Sequence, residues 1–311
     1  MTLRPLTGSA ELDLFCRLSY DLDDELADDL ATGRRLPGWL WVALHGERLL
    51  ARAGWWTSAA GELPQAFDFF DVDDELPEPV RSETALRLLE TATAHVVPAG
   101  AVRPEYGRFI PADWREDPAA RAVVENRTRV LERSGARLLV ERLRLEWRPE
   151  TPVPAATGAL DFGPAGDREE LLTLMTDVLT GTLDAHSRTE LADGLTPRQV
   201  AERQYDGEFA RYTSPRAWWR IARLPDSGEP VGFVVPARNS YNHIIAYLGV
   251  LPAHRGRGHV RELLAEGTRV LAAESVPRIR AATDLANVPM AAAFGRAGYV
   301  NFQRAINMTW D

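Results

Sequence analysis

The sequence predicts an α/β protein built from two tandem copies of one unit. Three observations carry this: a proline-rich break near the middle, one order of elements on both sides of it, and a shared spacing at the end of each half. The break runs from Arg148 to Gly158, where Pro149, Pro152 and Pro154 with few apolar neighbours prevent a helix or a paired strand. It divides the 311 residues into domains over 1–148 and 160–311, with a linker at 149–159.

Each half opens with a tryptophan-bearing hairpin. In the first half the spacing predicts strands over 39–43 and 49–56, turning at Gly46. In the second they cover 218–223 and 231–235, turning near Asp226-Ser227-Gly228. An apolar strand follows, Phe67 to Val72 and then Ile244 to Val250. Next comes an amphipathic helix, carrying Ala85, Leu88 and Leu89 in the first half and Val260, Leu263, Leu264, Val270 and Leu271 in the second. A second helix closes each half at a glycine, Gly135 or Gly298, and a final strand pair follows. Counting twelve residues on from each glycine reaches a tryptophan, Trp147 and Trp310. The pattern reads as an internal duplication.

Composition narrows the function classes. Hydrophobic residues make up 45% and charged residues 26%, as in a soluble globular protein. No run approaches the roughly eighteen apolar residues of a membrane span, and the first residues lack the apolar core of a signal peptide, so a cytoplasmic location is the default expectation. The formal charge of −9 argues against a nucleic-acid partner. All 36 lysine-plus-arginine positions are arginine. A lone cysteine, Cys16, excludes an internal disulfide and reads as a buried, inert thiol. The six histidines lack two-histidine helical spacing, so no metal site is expected.

The chemistry concentrates in Tyr247-Leu248-Gly249-Val250-Leu251-Pro252-Ala253-His254-Arg255-Gly256-Arg257-Gly258. Here a strand runs into a glycine-rich turn that opens a helix. Such a turn aims free backbone N–H groups and the positive end of the helix dipole at one spot. Arg255, Arg257 and Arg261 add charge, and a pyrophosphate suits the place.

The pattern Val-x-Pro-x-x-Arg-Gly-x-Gly resembles the pyrophosphate motif of the GNAT superfamily of acyl-CoA N-acyltransferases. Asn287, Met290, Phe294, Gly298 and Tyr299 resemble the family's second motif. The resemblance covers most of residues 160–311, and the repeated layout extends it to a tandem architecture similar to that of mycothiol synthase. It implies two GNAT-like domains, each a mixed, mostly antiparallel sheet flanked by helices. It also implies that Leu248, Gly249, Val250, Arg255, Gly256, Arg257, Gly258, His259, Val260, Asn287 and Phe294 hold acetyl-CoA or another acyl-CoA. Two departures stand out. Val260 occupies a place usually held by glycine or alanine. Phe294 replaces the tyrosine that in many members protonates the leaving thiolate, so another group or water does this, or the half does not catalyse.

The first half's loop, Asp71-Val72-Asp73-Asp74-Glu75-Leu76-Pro77-Glu78-Pro79, has no glycine and is rich in carboxylates. One carboxylate about 4 Å from a pyrophosphate charge costs roughly 4 kcal/mol at an effective dielectric near 20. A degenerate copy without a CoA loop is the expectation, supporting the second half or walling the acceptor site.

The family's reaction is direct attack of an amine on a thioester. An alkylamine with a pKa around 10.4 is neutral in only about one molecule in 10³ at pH 7, so a base is needed. The forming oxyanion needs a backbone N–H beside a strand bulge, expected at Leu248-Gly249-Val250. Period 2 puts His243, Ile245 and Tyr247 on one face. His243 is one candidate base, Asp184 with His186 another, and Tyr247 a candidate proton donor. The alternatives are a strand-start surface histidine and an Asp184 helix cap. Asn239, Tyr241 and Asn242 suit either an acceptor or a turn, and Asp284 suits an amine anchor or a turn. The expected enzyme is a GNAT-type N-acetyltransferase acting on a small-molecule amine, as monomer or homodimer. A non-catalytic acyl-CoA-binding module and a protein-modifying acetyltransferase are the alternatives.

Overall fold

The computed structural model describes residues 1–310. They form two compact units: 1–141 together with 304–310, and Arg142–Gln303. The sequence places the boundary at a linker; the chain instead exchanges one strand end between its halves. Residues 142–147 complete the second unit, and residues 304–309 complete the first.

The first unit begins with β1 (Thr2–Pro5) and the short helices α1 (Leu12–Phe15) and α2 (Leu26–Ala31). The hairpin β2 (Leu40–His45) and β3 (Arg48–Trp56) follows, then β4 (Ala66–Val72), α3 (Val80–Val96), β5 (Glu105–Pro111), α4 (Pro118–Arg133) and the first part of β6 (Arg137–Trp147). Its strands run in the order β1-β2-β3-β4-β5, and the end of β12 (Val300–Thr309) lies beside β5. Side chains alternate between two cores. Trp41 and Ala43 face α3 and α4, while Leu40, Val42 and Leu44 face Phe15 and Leu26. Cys16 is half-buried at the edge of this second core, less enclosed than the sequence implies, because it ends a one-turn helix.

The second unit repeats the order. β7 (Asp161–Pro164) and the helices α5 (Arg168–Val178), α6 (Ala185–Ala192) and α7 (Pro197–Gly207) lead to the hairpin β8 (Arg220–Arg223) and β9 (Pro230–Arg238). β10 (His243–Val250), α8 (His259–Ala272), β11 (Ile279–Asp284), α9 (Val288–Arg296) and the start of β12 complete it. The strand order is β6-β11-β10-β9-β8-β7. The β10–β11 pair is parallel and its other paired neighbours are antiparallel. α8 and α9 cover one face through Leu263, Leu264 and Phe294, and α5 and α7 the other through Leu172, Met175 and Tyr205. Tyr205, Phe209 and Trp219 are buried on this second face, with Tyr212 and Trp218 partly so.

Gly135 and Gly298 end α4 and α9 at φ of 93° and 84°, a left-handed region that favours glycine. The proline-rich stretch holds neither helix nor strand, yet it is docked on the second unit. Thr157 N donates to Glu262 (3.2 Å), and Arg269 donates to Pro154 O (3.3 Å). No helix is long and apolar enough to cross a membrane among the described residues.

Candidate active site

Strand pairing makes the cavity. β10 and β11 run parallel, but their register covers a single pair, Ile244 with Arg280. Beyond it the strands part, and the edges that face each other lose their ladder partners. On its other side β10 stays paired to β9, with a bulge between Ile245 and Tyr247. The bulge inserts Ala246 and resets the alternation. Ile245 therefore packs toward α8, while Ala246 and Tyr247 pack toward α5 and α7. This corrects two expectations. The bulge lies before Leu248-Gly249-Val250, and His243, Ile245 and Tyr247 do not share a face.

The gap opens into a cavity of about 480 Å³ within the second unit. Leu248, Gly249 and Val250 line it from β10, and Asn287 and Phe294 from α9. Arg255, Gly256, Gly258, His259 and Val260 line it from the turn and the start of α8, whereas Arg257 does not. Val260 thus sits in the first turn of α8 without closing the cavity.

The N-terminus of α8 is built for an anion. The side chains of Asp167, Asp184, Thr196 and Asn287 cap α5, α6, α7 and α9. α8 has no side-chain cap; its N-cap is Gly258 at φ 84°. Its first-turn N–H groups are left for a ligand. A side chain at Gly256 or Gly258 would point into open space, and both glycines have positive φ, so the backbone itself forms the wall.

Arg255 does something other than add charge. Its guanidinium donates to Val178 O (2.7 Å), Thr180 O (2.6 Å) and Val250 O (3.1 Å). It satisfies carbonyls at the C-terminus of α5 and ties that end to the turn. The positive potential at the turn is left to the helix dipole, since neither Arg257 nor Arg261 lines the cavity.

Among the catalytic candidates, Asp184 and Tyr247 line the cavity, and His186 and His243 do not. Asp184 is the N-cap of α6, accepting from Ser187 N at 2.8 Å. Tyr247 stacks on Phe233, with ring centroids 5.4 Å apart, and burial pushes its phenol well above the ordinary range. His243 lies at the strand start with its ring 6.1 Å from Trp218, and burial followed by Arg238 lowers its pKa. It lies before Ile244, the last residue at which β10 and β11 pair, so it stands outside the gap that forms the cavity. Asn239 accepts from Tyr241 N (2.9 Å) and Asn242 N (2.8 Å), the turn role.

At the remaining departure, Phe294 is buried against Tyr299 with ring centroids 5.0 Å apart. The Tyr299 hydroxyl is bonded to Thr268 (2.8 Å) in the core, so it does not replace the missing phenol.

The cavity also holds residues that sequence reasoning missed. Arg142 reaches it from β6, a strand that belongs by sequence to the other half, so no local signal marked it. His254 is buried beside the turn, with Nε2 3.1 Å from Glu229 and Nδ1 unpartnered; its place inside the loop was a usable signal. Thr182 and Gln204 contribute from the helical face.

The first unit has the same parting of strands, bridged by side chains. β4 and β5 pair in parallel only at Ala66–Glu105 and Phe67–Tyr106. Arg108 from β5 bridges to β4, donating to Asp71 (2.7 Å) and to Phe70 O (3.3 Å). Arg52 holds the other Asp71 oxygen at 2.9 Å, and Arg127 donates to Val72 O at 2.8 Å. At the start of α3, Glu78 accepts from the Ser82 hydroxyl (2.7 Å) and backbone N (3.4 Å). These bonds, with Arg81, hold its carboxyl below the usual range. The helix that corresponds to α8 thus has a carboxylate of its own where an anion would sit.

Comparison with known proteins agrees with this geometry. Residues 183–299 match the acetyltransferase (GNAT) family. The second unit carries a GNAT acetyltransferase domain. No curated protein matches the sequence. A GCN5-related N-acetyltransferase from Sphaerobacter thermophilus has a similar fold at TM-score 0.62 and 16% identity, covering 99% of this chain and 94% of that one. A tandem GNAT protein from the clavulanic acid biosynthesis pathway is similar at TM-score 0.53 and 16% identity, covering 99% and 97%. The whole chain therefore has a tandem GNAT fold, with the cavity in its GNAT domain.

Proposed function

We propose that the GNAT domain transfers acetyl from acetyl-CoA to a primary amine of a small molecule, and that the first unit binds no coenzyme. One observation supports this most: the uncapped start of α8 and the unpaired edge of β10 line the same cavity. The two features suit one elongated ligand, a pyrophosphate at the helix and an amide-bearing arm along the strand. Gly256, Gly258, His259 and Val260 would hold the first, and Leu248 to Val250 the second. Asn287 and Phe294 would flank the arm from α9.

Acetyl-CoA supplies the thioester carbonyl that the amine attacks. The chain's own task is to stabilise charge and move protons at the reacting carbonyl. Backbone N–H groups released at the Ala246 bulge are fixed donors for a developing oxyanion, a contribution worth about 3–4 kcal/mol where a single donor has been removed elsewhere. With phenylalanine at 294, Tyr247 is the aromatic hydroxyl that lines the cavity, and we assign it the return of a proton to the thiolate. Its raised pKa keeps it protonated at neutral pH.

The test is acetyl-CoA binding by calorimetry. Gly258→Glu should abolish it, because φ of 84° strains any side chain there and a carboxylate would face the pyrophosphate. Glu75→Gln in the first unit should leave it intact; loss of binding there and survival at Gly258→Glu would overturn the assignment. Phe294 favours a second reading, a module that binds acyl-CoA without catalysis. Thiol release over a panel of amines separates the two, with Tyr247→Phe expected to lower kcat about 10²-fold or more if it is the proton donor.

A further inference from the structure

The β11 side of the cavity contains a carboxylate of which one oxygen has no hydrogen-bond partner. Asp284, the last residue of β11, is 3% exposed and lines the cavity. Its Oδ2 accepts from Ala185 N at 2.7 Å, at the start of α6. Its Oδ1 has no hydrogen-bond partner. Arg142 Nε stands 3.1 Å from Oδ1 but off the hydrogen-bonding direction, and it too is unpartnered. A buried carboxylate oxygen without a well-directed donor is costly, and one that faces a cavity is open to a donor from a ligand. Burial raises the pKa of Asp284, opposed by the Ala185 bond and Arg142.

The surroundings indicate what serves it. Asp184 also lines this part of the cavity, and its charge adds to that of Asp284. Arg142 supplies one positive charge against two carboxylates. His186 is the other titratable group that bears on Asp284. A further anion is therefore disfavoured here, and a cation is favoured. One exposed apolar side chain lines the cavity here, Leu183 at 46% exposure, and Leu285 (37%) and Val288 (66%) are exposed just after Asp284 in the chain. Leu183 and Leu285 flank Asp184 and Asp284 in the chain, and the Ala185–Asp284 bond holds the two segments together.

We propose that Asp284 receives the ammonium group of the acceptor, and that the acceptor is a small cationic amine carrying an apolar body. This rests on the cavity being the transfer site. In the reaction the ammonium gives up one proton to Asp284, and the freed nitrogen lone pair forms the C–N bond as the C–S bond breaks. The nitrogen then loses its second proton, which replaces the one Tyr247 gives to the departing thiolate, and Asp284 passes its proton to solvent, so that one proton ends on coenzyme A and one in solution.

The probe pair is benzylamine and benzyl alcohol, which share a body and differ in charge. Binding to the full-length protein in the presence of coenzyme A is measured by calorimetry at pH 7. Wild type should prefer the amine by about tenfold or more, the range of a charge-assisted hydrogen bond. Asp284→Asn should erase that preference, with benzyl alcohol and coenzyme A affinities unchanged; Asp284→Glu should restore part of it. An unchanged preference in Asp284→Asn overturns the proposal, as does wild type binding both probes equally. Exchanging benzylamine for ethanolamine should weaken binding, and equal affinities would remove the apolar body from the proposal. Should these binding results hold while wild type releases no thiol with any amine, the transfer reading fails and the ammonium site stands.

Discussion

At the scale of single residues, corresponding places in the two units take opposite charges. In the second unit the start of α8 is bare and ringed by glycines; in the first, Glu78 occupies the start of α3 and Asp71 the gap between strands. Burial pushes the pKa of Asp71 up, but Arg108, Arg52 and Arg127 outweigh it and hold the carboxyl below its ordinary range. Such a group stabilises the fold above the unfolded carboxylate range, about pH 4, and loses that effect as pH falls through its lower folded value. Asp71→Asn leaves Arg52 and Arg108 buried without this partner and should cost about 3–5 kcal/mol. Urea denaturation at pH 7 should show a lower midpoint, and the variant's stability should fall less than the wild type's between about pH 5 and pH 2. An equal acid dependence in both would mean that Asp71 is not the group responsible. The carboxylates of this loop were visible in the sequence, where they read as repulsive. Their partners were not, because Arg52, Arg108 and Arg127 come from three separate elements.

At the scale of elements, repeated order and periodicity were legible to within a few residues, and strand geometry was not. The hairpins, α3, α8 and the glycine-terminated helices follow from patterns inside short windows. The bulge at Ala246 depends on how β9 and β10 register, and nothing in Ile245-Ala246-Tyr247 marks it. One inserted residue was enough to put Ile245 and Tyr247 on opposite faces. Arg255 shows the same limit: its spacing fits a phosphate loop, while its partners lie at Val178 and Thr180. Its removal should act through packing of α5. Arg255→Ala loses three bonds to carbonyls and should lower stability by about 1–3 kcal/mol, read as a lower melting temperature. Coenzyme affinity should fall far less than in Gly258→Glu. A melting temperature unchanged with binding abolished would return Arg255 to the phosphate site.

At the scale of the whole molecule, the two units are not divided at the linker. The regular spacing from Gly135 to Trp147 and from Gly298 to Trp310 reflects equivalent helices and strands, yet each final strand divides its residues between the units. A single sequence carries no mark of that exchange, since β6 and β12 read as ordinary closing strands. It changes what a truncation removes. Ile306 and Met308, at 6% and 0% exposure, sit in the core of the first unit, and Trp310 donates to Ser134 there (3.1 Å). Ending the chain after Gln303 would therefore leave the residues of the second unit whole and empty part of the first unit's core. Burying each such side chain contributes about 1.5–3 kcal/mol, so the loss is a large part of an ordinary domain's stability. The truncated protein should show an early melting step, with protease cuts confined to residues 1–141, and should still bind acetyl-CoA. Intact melting of the first unit, or cleavage within 142–303 instead, would refute the exchange.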